Sequence, residues 1–225
     1  MSIAFVVIII LVLAVVFVNG WTDAPNAIAT AVSTRVLRPR SAIIMAVVFN
    51  LLGAMCMTAI NAQVAETISK MVNFEGSGSH DALVVLAAAL FAIVAWATAA
   101  WYFGIPTSES HALIAGLTGA AVALNGIAGV NMYEWRKVII GLVISTGMGF
   151  LLGFLFVRLI EFSFRNADRF FADRLFGKGQ VFGAASMAFL HGAQDGQKFM
   201  GVFMLALYLN GMVQKTESGG FVIPF

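Results

Sequence analysis

Asp23, Glu109, His111, His191, Asp195 and Lys198 stand inside or beside long apolar runs, where ionisable side chains are rare. A charge at the centre of a hydrocarbon layer costs about 2.5–3.5 kcal/mol on insertion scales, so such residues usually face a protein interior or a water-filled path. Carboxylates offer oxygens to a cation, an imidazole can donate or accept, and an ammonium offers three donors to an anion. The amide of Asn26 and the hydroxyls of Thr107 and Ser108 extend the set. Together these groups could take an oxyanion and a cation at once. No compact His–Cys–carboxylate constellation marks a zinc site. Nor does a glycine loop with its lysine mark a nucleotide site, or a paired nucleophile and base an enzyme.

The elements that must position these residues are read from composition and from the length of the apolar runs. Of the residues, 60% are hydrophobic and 11% charged. Mean hydropathy is +0.93. That balance lies well outside a soluble domain and predicts an all-α polytopic membrane protein. A net charge of +2 without a basic-aromatic patch gives no ground for nucleic-acid binding. One cysteine, Cys56, excludes an intrachain disulfide framework and is expected to be a small buried side chain.

The first apolar run covers residues 3–18, is interrupted at 19–26 and resumes to 36. With no basic flank before it and no cleavage pattern after it, it reads as a structural span rather than a leader. Further spans are predicted at 41–62, 81–103, 108–130 and 138–160, each near the roughly 20 residues a helical crossing needs. A sixth begins near Val181, is interrupted at 191–198 and continues to about Gly211. Arg35, Arg38 and Arg40 follow the first span, and Arg158, Arg165, Arg169, Arg174 and Lys178 follow the fifth. The second connection instead carries Glu66, Lys70, Glu75 and Asp81. The positive-inside tendency puts both basic clusters in the cytoplasm and the N-terminus outside, with Arg136 and Lys137 opposing it weakly.

Two of the interruptions share an outline. Gly20, Asp23 and Asn26 recur as Gly192, Asp195 and Lys198, at positions one, four and seven and 172 residues later. Five intervening crossings would invert one copy relative to the other, an arrangement in which broken helices meet near the midplane around a transported solute. A third break, residues 104–111, reads Gly-Ile-Pro-Thr-Ser-Glu-Ser-His. Pro106 suits a half-helix entry, and Thr107 or Ser108 can cap it. His111 follows them by four and three residues, so a helix groups all three on one face, with Glu109 directed elsewhere toward a cation, a proton or a helix partner. Lys198 is a counter-charge either to a bound anion or to Asp195. At each break the plainer alternative is a kink whose polar groups satisfy one another. Trp96, Trp101 and Tyr102 read as interface anchors.

At these breaks the chain resembles the inorganic phosphate transporter (PiT) family. The matching stretches are GWTDAPNAIAT at 20–30, PTSESHALIAG at 106–116 and HGAQDGQKFMG at 191–201, in that order. The resemblance implies an inverted-repeat secondary transporter with broken helices, not an enzyme. Such a protein symports inorganic phosphate with sodium, or in some bacterial members with protons or as metal-phosphate. It implies substrate contacts at Asn26, Thr107, Ser108, His111, Asp195 and Lys198, and cation contacts at Asp23 and Asp195, to which the residues themselves add Glu109 as a cation contact. No cofactor is implied, sodium being co-transported, and a homodimer in membrane lipid is compatible with it. Family signatures usually carry asparagine where this chain has Thr22 and Gln194, and a small hydroxyl residue where it has Glu109.

The expected organisation is a first transmembrane repeat over 1–160, a basic cytoplasmic connector over 161–180, and the beginning of a second inverted repeat over 181–225. Residues 214–225 carry no counterpart of the third break, so the repeat is expected to be completed by further residues or by another polypeptide. A sulfate symporter, a passive anion channel and a structural membrane subunit are the competing readings.

Overall fold

The computed structural model describes residues 3–60, 63–74 and 78–214. Glu75 and most of the 214–225 ending, both used in the sequence reading, lie outside them. Among the described residues, regular structure is helical apart from one isolated antiparallel bridge, Val72 to Val130. The helices are α1 (Ile3–Thr22), α2 (Ala24–Ser33), α3 (Pro39–Ile60), α4 (Gln63–Lys70), α5 (Ser79–Phe103), α6 (Glu109–Asn125), α7 (Met132–Phe164) and α8 (Arg169–Leu209), with a 3-10 turn over Gly126–Gly129. By length and composition, five membrane-crossing segments stand out: α1 with α2, α3, α5, α6 with its 3-10 turn, and α7. The short α4 is the one helix with no counterpart among the expected spans.

Local chemistry explains where the helices stop. Gly104 closes α5 in the left-handed region at φ 66°, which costs a residue without a Cβ little, and Ile105 N–H returns to Ala100 O at 2.8 Å. Ser108 then opens α6 in extended conformation and its Oγ accepts from His111 N–H at 3.4 Å. Asn131 Oδ1 caps α7 and Asp168 Oδ2 caps α8 in the same way. The third break therefore forms as the sequence predicts, with Ser108 as its cap.

The first break is narrower than expected. It is confined to Asp23, whose backbone stays near the helical region and whose N–H still reaches Asn19 O at 2.9 Å. Pro25, in the first turn of α2, removes one donor without turning the chain away.

The second expected interruption is absent. α8 runs unbroken through His191, Asp195 and Lys198. No proline stands there, and glycine alone weakens a helix by only about 1 kcal/mol. Its glycines serve close packing instead. A methyl group on Gly192 would fall on the backbone of Asn50, and one on Gly53 of α3 would fall on the carbonyl of Phe189. A methyl on Gly196 would lie 2.7 Å from Ala54 Cβ. Small residues one turn apart let two membrane helices approach to backbone contact, as α3 and α8 do here. The connector expected over 161–180 is likewise mostly helix: four residues, 165–168, separate α7 from α8.

Two apolar clusters hold the bundle. Phe5, Ile8, Val12 and Val15 of α1 pack with Leu86, Leu90 and Ile93 of α5, Leu113 and Leu117 of α6, and Val202 and Leu205 of α8. Ala27, Ile28 and Ala31 of α2 pack with Ala42 and Ala46 of α3 and Ala184 and Ala188 of α8. α7 fully buries Glu134 alone, packs Trp135 and Val138 against the first cluster, and presents most of its remaining apolar side chains outward. Cys56 is exposed on α3, not buried as expected, because the small-residue face of that helix is the one turned to α8.

Candidate functional site

The aspartates of both motif copies meet where α1, α2, α3, α6 and α8 converge. Asp195, 8% exposed, is held from α1 and from its own helix. Its Oδ2 accepts from Asn19 Nδ2 of α1 at 3.0 Å, and its Oδ1 accepts from Lys198 Nζ one turn along α8 at 2.6 Å. Lys198 Nζ also donates to Ser110 Oγ of α6 at 2.6 Å. The ammonium thus ties the start of α6 to the middle of α8. Charge-assisted bonds of this length are stronger than neutral ones, and a partly dry setting strengthens them further.

His191 lies one helical turn before Asp195. Asn50 Nδ2 is committed to Ala46 O at 2.9 Å, so its oxygen faces the ring and takes the proton of His191 Nδ1 at 2.6 Å. The other ring nitrogen, Nε2, then turns toward Asp195 Oδ2 at 3.3 Å, and among the described residues it has no hydrogen-bond partner of good geometry. Asp23 completes the group: one ligand atom each from Asp23, His191 and Asp195 lies within 4.8 Å of the others. Two carboxylates and a ring nitrogen at that spacing form a donor set for a cation.

Glu109 forms a second focus. It is the first residue of α6 and 2% exposed; its Oε1 lies 3.2 Å from Thr22 Oγ1, and its Oε2 has no partner among the described residues. Thr22 has one hydroxyl proton to share between Glu109 and Val18 O, the latter at 2.9 Å. A buried carboxylate with an unpaired oxygen is costly to keep unless something positive visits it.

The residues expected to bind substrate divide. Asp195 and Lys198 are in the cluster, and Ser108 is half-buried at its edge as the cap of α6. Asn26, Thr107 and His111 are exposed, with Thr107 Oγ1 accepting from Trp96 Nε1 at 2.9 Å. All three residues expected to hold a cation are inside: Asp23 and Asp195 together, Glu109 through Thr22. Four polar side chains of the network escaped the sequence reading: Asn19, Thr22 as a hydrogen-bonding group, Asn50 and Ser110. Asn19 and Asn50 carried a signal, each a lone amide in or at the end of an apolar helix. Beside the cluster lies a cavity of about 370 Å³, polar at Asn19, Asn50, His191 and Asp195 and apolar at Ile28, Ile43 and Phe199.

Comparison with known proteins agrees with this geometry. Residues 19–223 match the model of the Phosphate transporter family. A probable low-affinity inorganic phosphate transporter of Bacillus subtilis is 40% identical over 202 residues, which cover 90% of this chain and 59% of that protein. A protein of the same description from Streptomyces halstedii is 38% identical, covering 86% of this chain and 89% of its own length. A solved structure described as the sodium-dependent phosphate transporter superposes with a TM-score of 0.67 at 25% identity, over 93% of this chain and 56% of that one. The chain thus spans about three fifths of the Bacillus relative, and each of these relatives is described as a transporter rather than an enzyme. With two motif copies converging on one polar cluster inside an all-helical membrane bundle, the chain belongs to the phosphate transporter family.

Proposed function

We propose that this chain carries inorganic phosphate across a membrane together with sodium, by alternating access. The observation that supports it most is the convergence of Asp23 from the α1–α2 junction, Glu109 from α6, and His191, Asp195 and Lys198 from α8 on one partly buried cluster. Three carboxylates face one ammonium there, so formal negative charge is in excess. An anion cannot enter against that excess unless cations enter too. Asp23 takes the sodium, with Asp195 and His191 within reach of the same ion, and Glu109 draws a further positive charge toward Thr22. Phosphate then docks against the start of α6, where the free amides of the first turn and the hydroxyl of Ser108 favour an oxyanion. Asn26, Thr107 and His111 line its approach, and Lys198 supplies positive charge from α8. Only the fully loaded site has its charges balanced, so binding of both ions favours closure and reorientation.

The basic residues after α2 and between α7 and α8 lie on the cytoplasmic side in this reading, with the N-terminus outside. The working unit is completed by further residues of the same chain, a second copy of the chain or a further polypeptide in the same membrane.

Labelled phosphate uptake into sealed vesicles tests the proposal. Uptake should rise with an inward sodium gradient and collapse in D23N, whereas uptake indifferent to sodium would reject the coupling. One observation favours a second reading, metal-phosphate symport: His191 Nε2 stands unpaired beside two carboxylates, and imidazole nitrogen suits a divalent transition ion better than sodium. That reading requires uptake that follows the divalent ion and not sodium.

A further inference from the structure

The two motif copies place different residues at their seventh position, Asn26 in the first and Lys198 in the second. We infer that Lys198 is a tethered cation, standing beside Asp195 where the first copy leaves room for a mobile one beside Asp23. The inference rests on the ion-coupled reading above and concerns how many cations that site must recruit.

In the second copy, both carboxylate oxygens are already met by the chain's own donors. Lys198 Nζ holds Oδ1 at 2.6 Å and Asn19 Nδ2 holds Oδ2 at 3.0 Å. Ser110 fixes the ammonium from a different helix at 2.6 Å, so Lys198 is braced at both ends rather than left to swing. The pair is mostly enclosed, with side-chain exposures of 19% for Lys198 and 11% for Asp195. A long flexible amine ordinarily escapes to water at the membrane edge. Here the carboxylate and the hydroxyl retain it.

The first copy has the same i, i+3 spacing and lacks the charge. Asn26 is neutral and exposed, and the Asp23 side chain makes no capping bond to α2. Among the described residues no hydrogen bond or ion pair engages the Asp23 carboxylate, while Asp195 faces the cluster with its charge already matched. A mobile cation is needed at the first aspartate. At the second, the lysine has taken its place permanently, which lowers by one the cations recruited per cycle.

The test is sodium binding to the purified full chain, by labelled sodium and by sodium-dependent thermal stabilisation, with choline at equal ionic strength as the screening control. K198N, which gives the second copy the residue of the first, should bind one more sodium than wild type and show a steeper dependence on sodium. Phosphate binding lost in K198N should return at saturating sodium. K198R, which keeps the charge, should bind the same number of sodium ions as wild type. The reciprocal N26K, at an exposed position that tolerates a longer side chain, should bind one sodium fewer. It carries the test alone if K198N does not fold. An unchanged sodium count in K198N or, where that variant fails, in N26K would overturn the inference while leaving coupled transport standing. A phosphate-binding defect in K198N that sodium cannot repair would overturn it too, by making Lys198 a direct phosphate ligand. Wild-type chain that binds no sodium would sink the coupled reading and this inference together.

Discussion

The two copies of the Gly-x-x-Asp-x-x-polar motif fold differently although their spacing is the same. In the first, the helix is interrupted at Asp23, Gly20 faces open space, and Asn26 is exposed. In the second, α8 is continuous, Gly192 lies against the Asn50 backbone, and Lys198 grips Asp195. Pro25 is one cause, since the second copy has Gln197 at the position where proline stands in the first. Packing is the other. α8 is flanked by α2, α3 and α4, and a kink at its centre would lift it from all of them. Identical spacing can therefore serve an open ligand position in one place and a clamped, closely packed one in another.

Substitutions that treat the copies alike should expose the difference. The largest effect belongs to Asp195. D195A leaves the Lys198 ammonium enclosed without its partner, and breaking a buried pair from one side costs about 3–5 kcal/mol. D23A removes a group with no such partner and should change stability far less. Thermal unfolding of both variants in detergent measures the contrast, and equal losses would erase the distinction between the sites.

The glycines give a second and smaller contrast. G192A drives a methyl group into the backbone of α3, and overpacking of this kind costs about 1–3 kcal/mol. G20A meets nothing and should be neutral or stabilising by up to about 1 kcal/mol through helix propensity. The melting temperatures should therefore move apart. If both fall together, Gly20 is packed against something in the assembled protein, and the first copy is less open than its geometry says.

The third break supplies the smallest effect. S108A removes the side-chain cap of α6, worth about 1 kcal/mol, and loosens the turn that presents Glu109 and Ser110. A modest fall in melting temperature, together with weaker phosphate binding, is expected. Weaker phosphate binding with no thermal change would make Ser108 a ligand more than a cap.

Much of this arrangement was legible from residue order. Long apolar runs located the first five crossings, because a helix must satisfy its own backbone in lipid and its length is set by the bilayer. The sixth expected crossing lies within the longer, more polar α8 and is not among the five segments long and apolar enough to cross. Gly104, Pro106 and Ser108 marked a true break, since a left-handed glycine and an extended cap residue cannot both sit inside a helix. The signature at 191–198 misled on local form. Its Gly192 and Gly196, one turn apart, were a packing signal that reads on paper like a breaking one.

Which side chains answer one another belonged to a different level. Residue types and spacing were enough to say that a membrane bundle encloses carboxylates, an imidazole and an ammonium, because lipid penalises every such group that lacks a purpose. They were not enough to pair Asn19 with Asp195 across 176 positions, or to turn Ser110 rather than His111 toward Lys198. Those choices follow from the packing of α1 and α6 around α8, which is set by contacts between segments far apart in the chain.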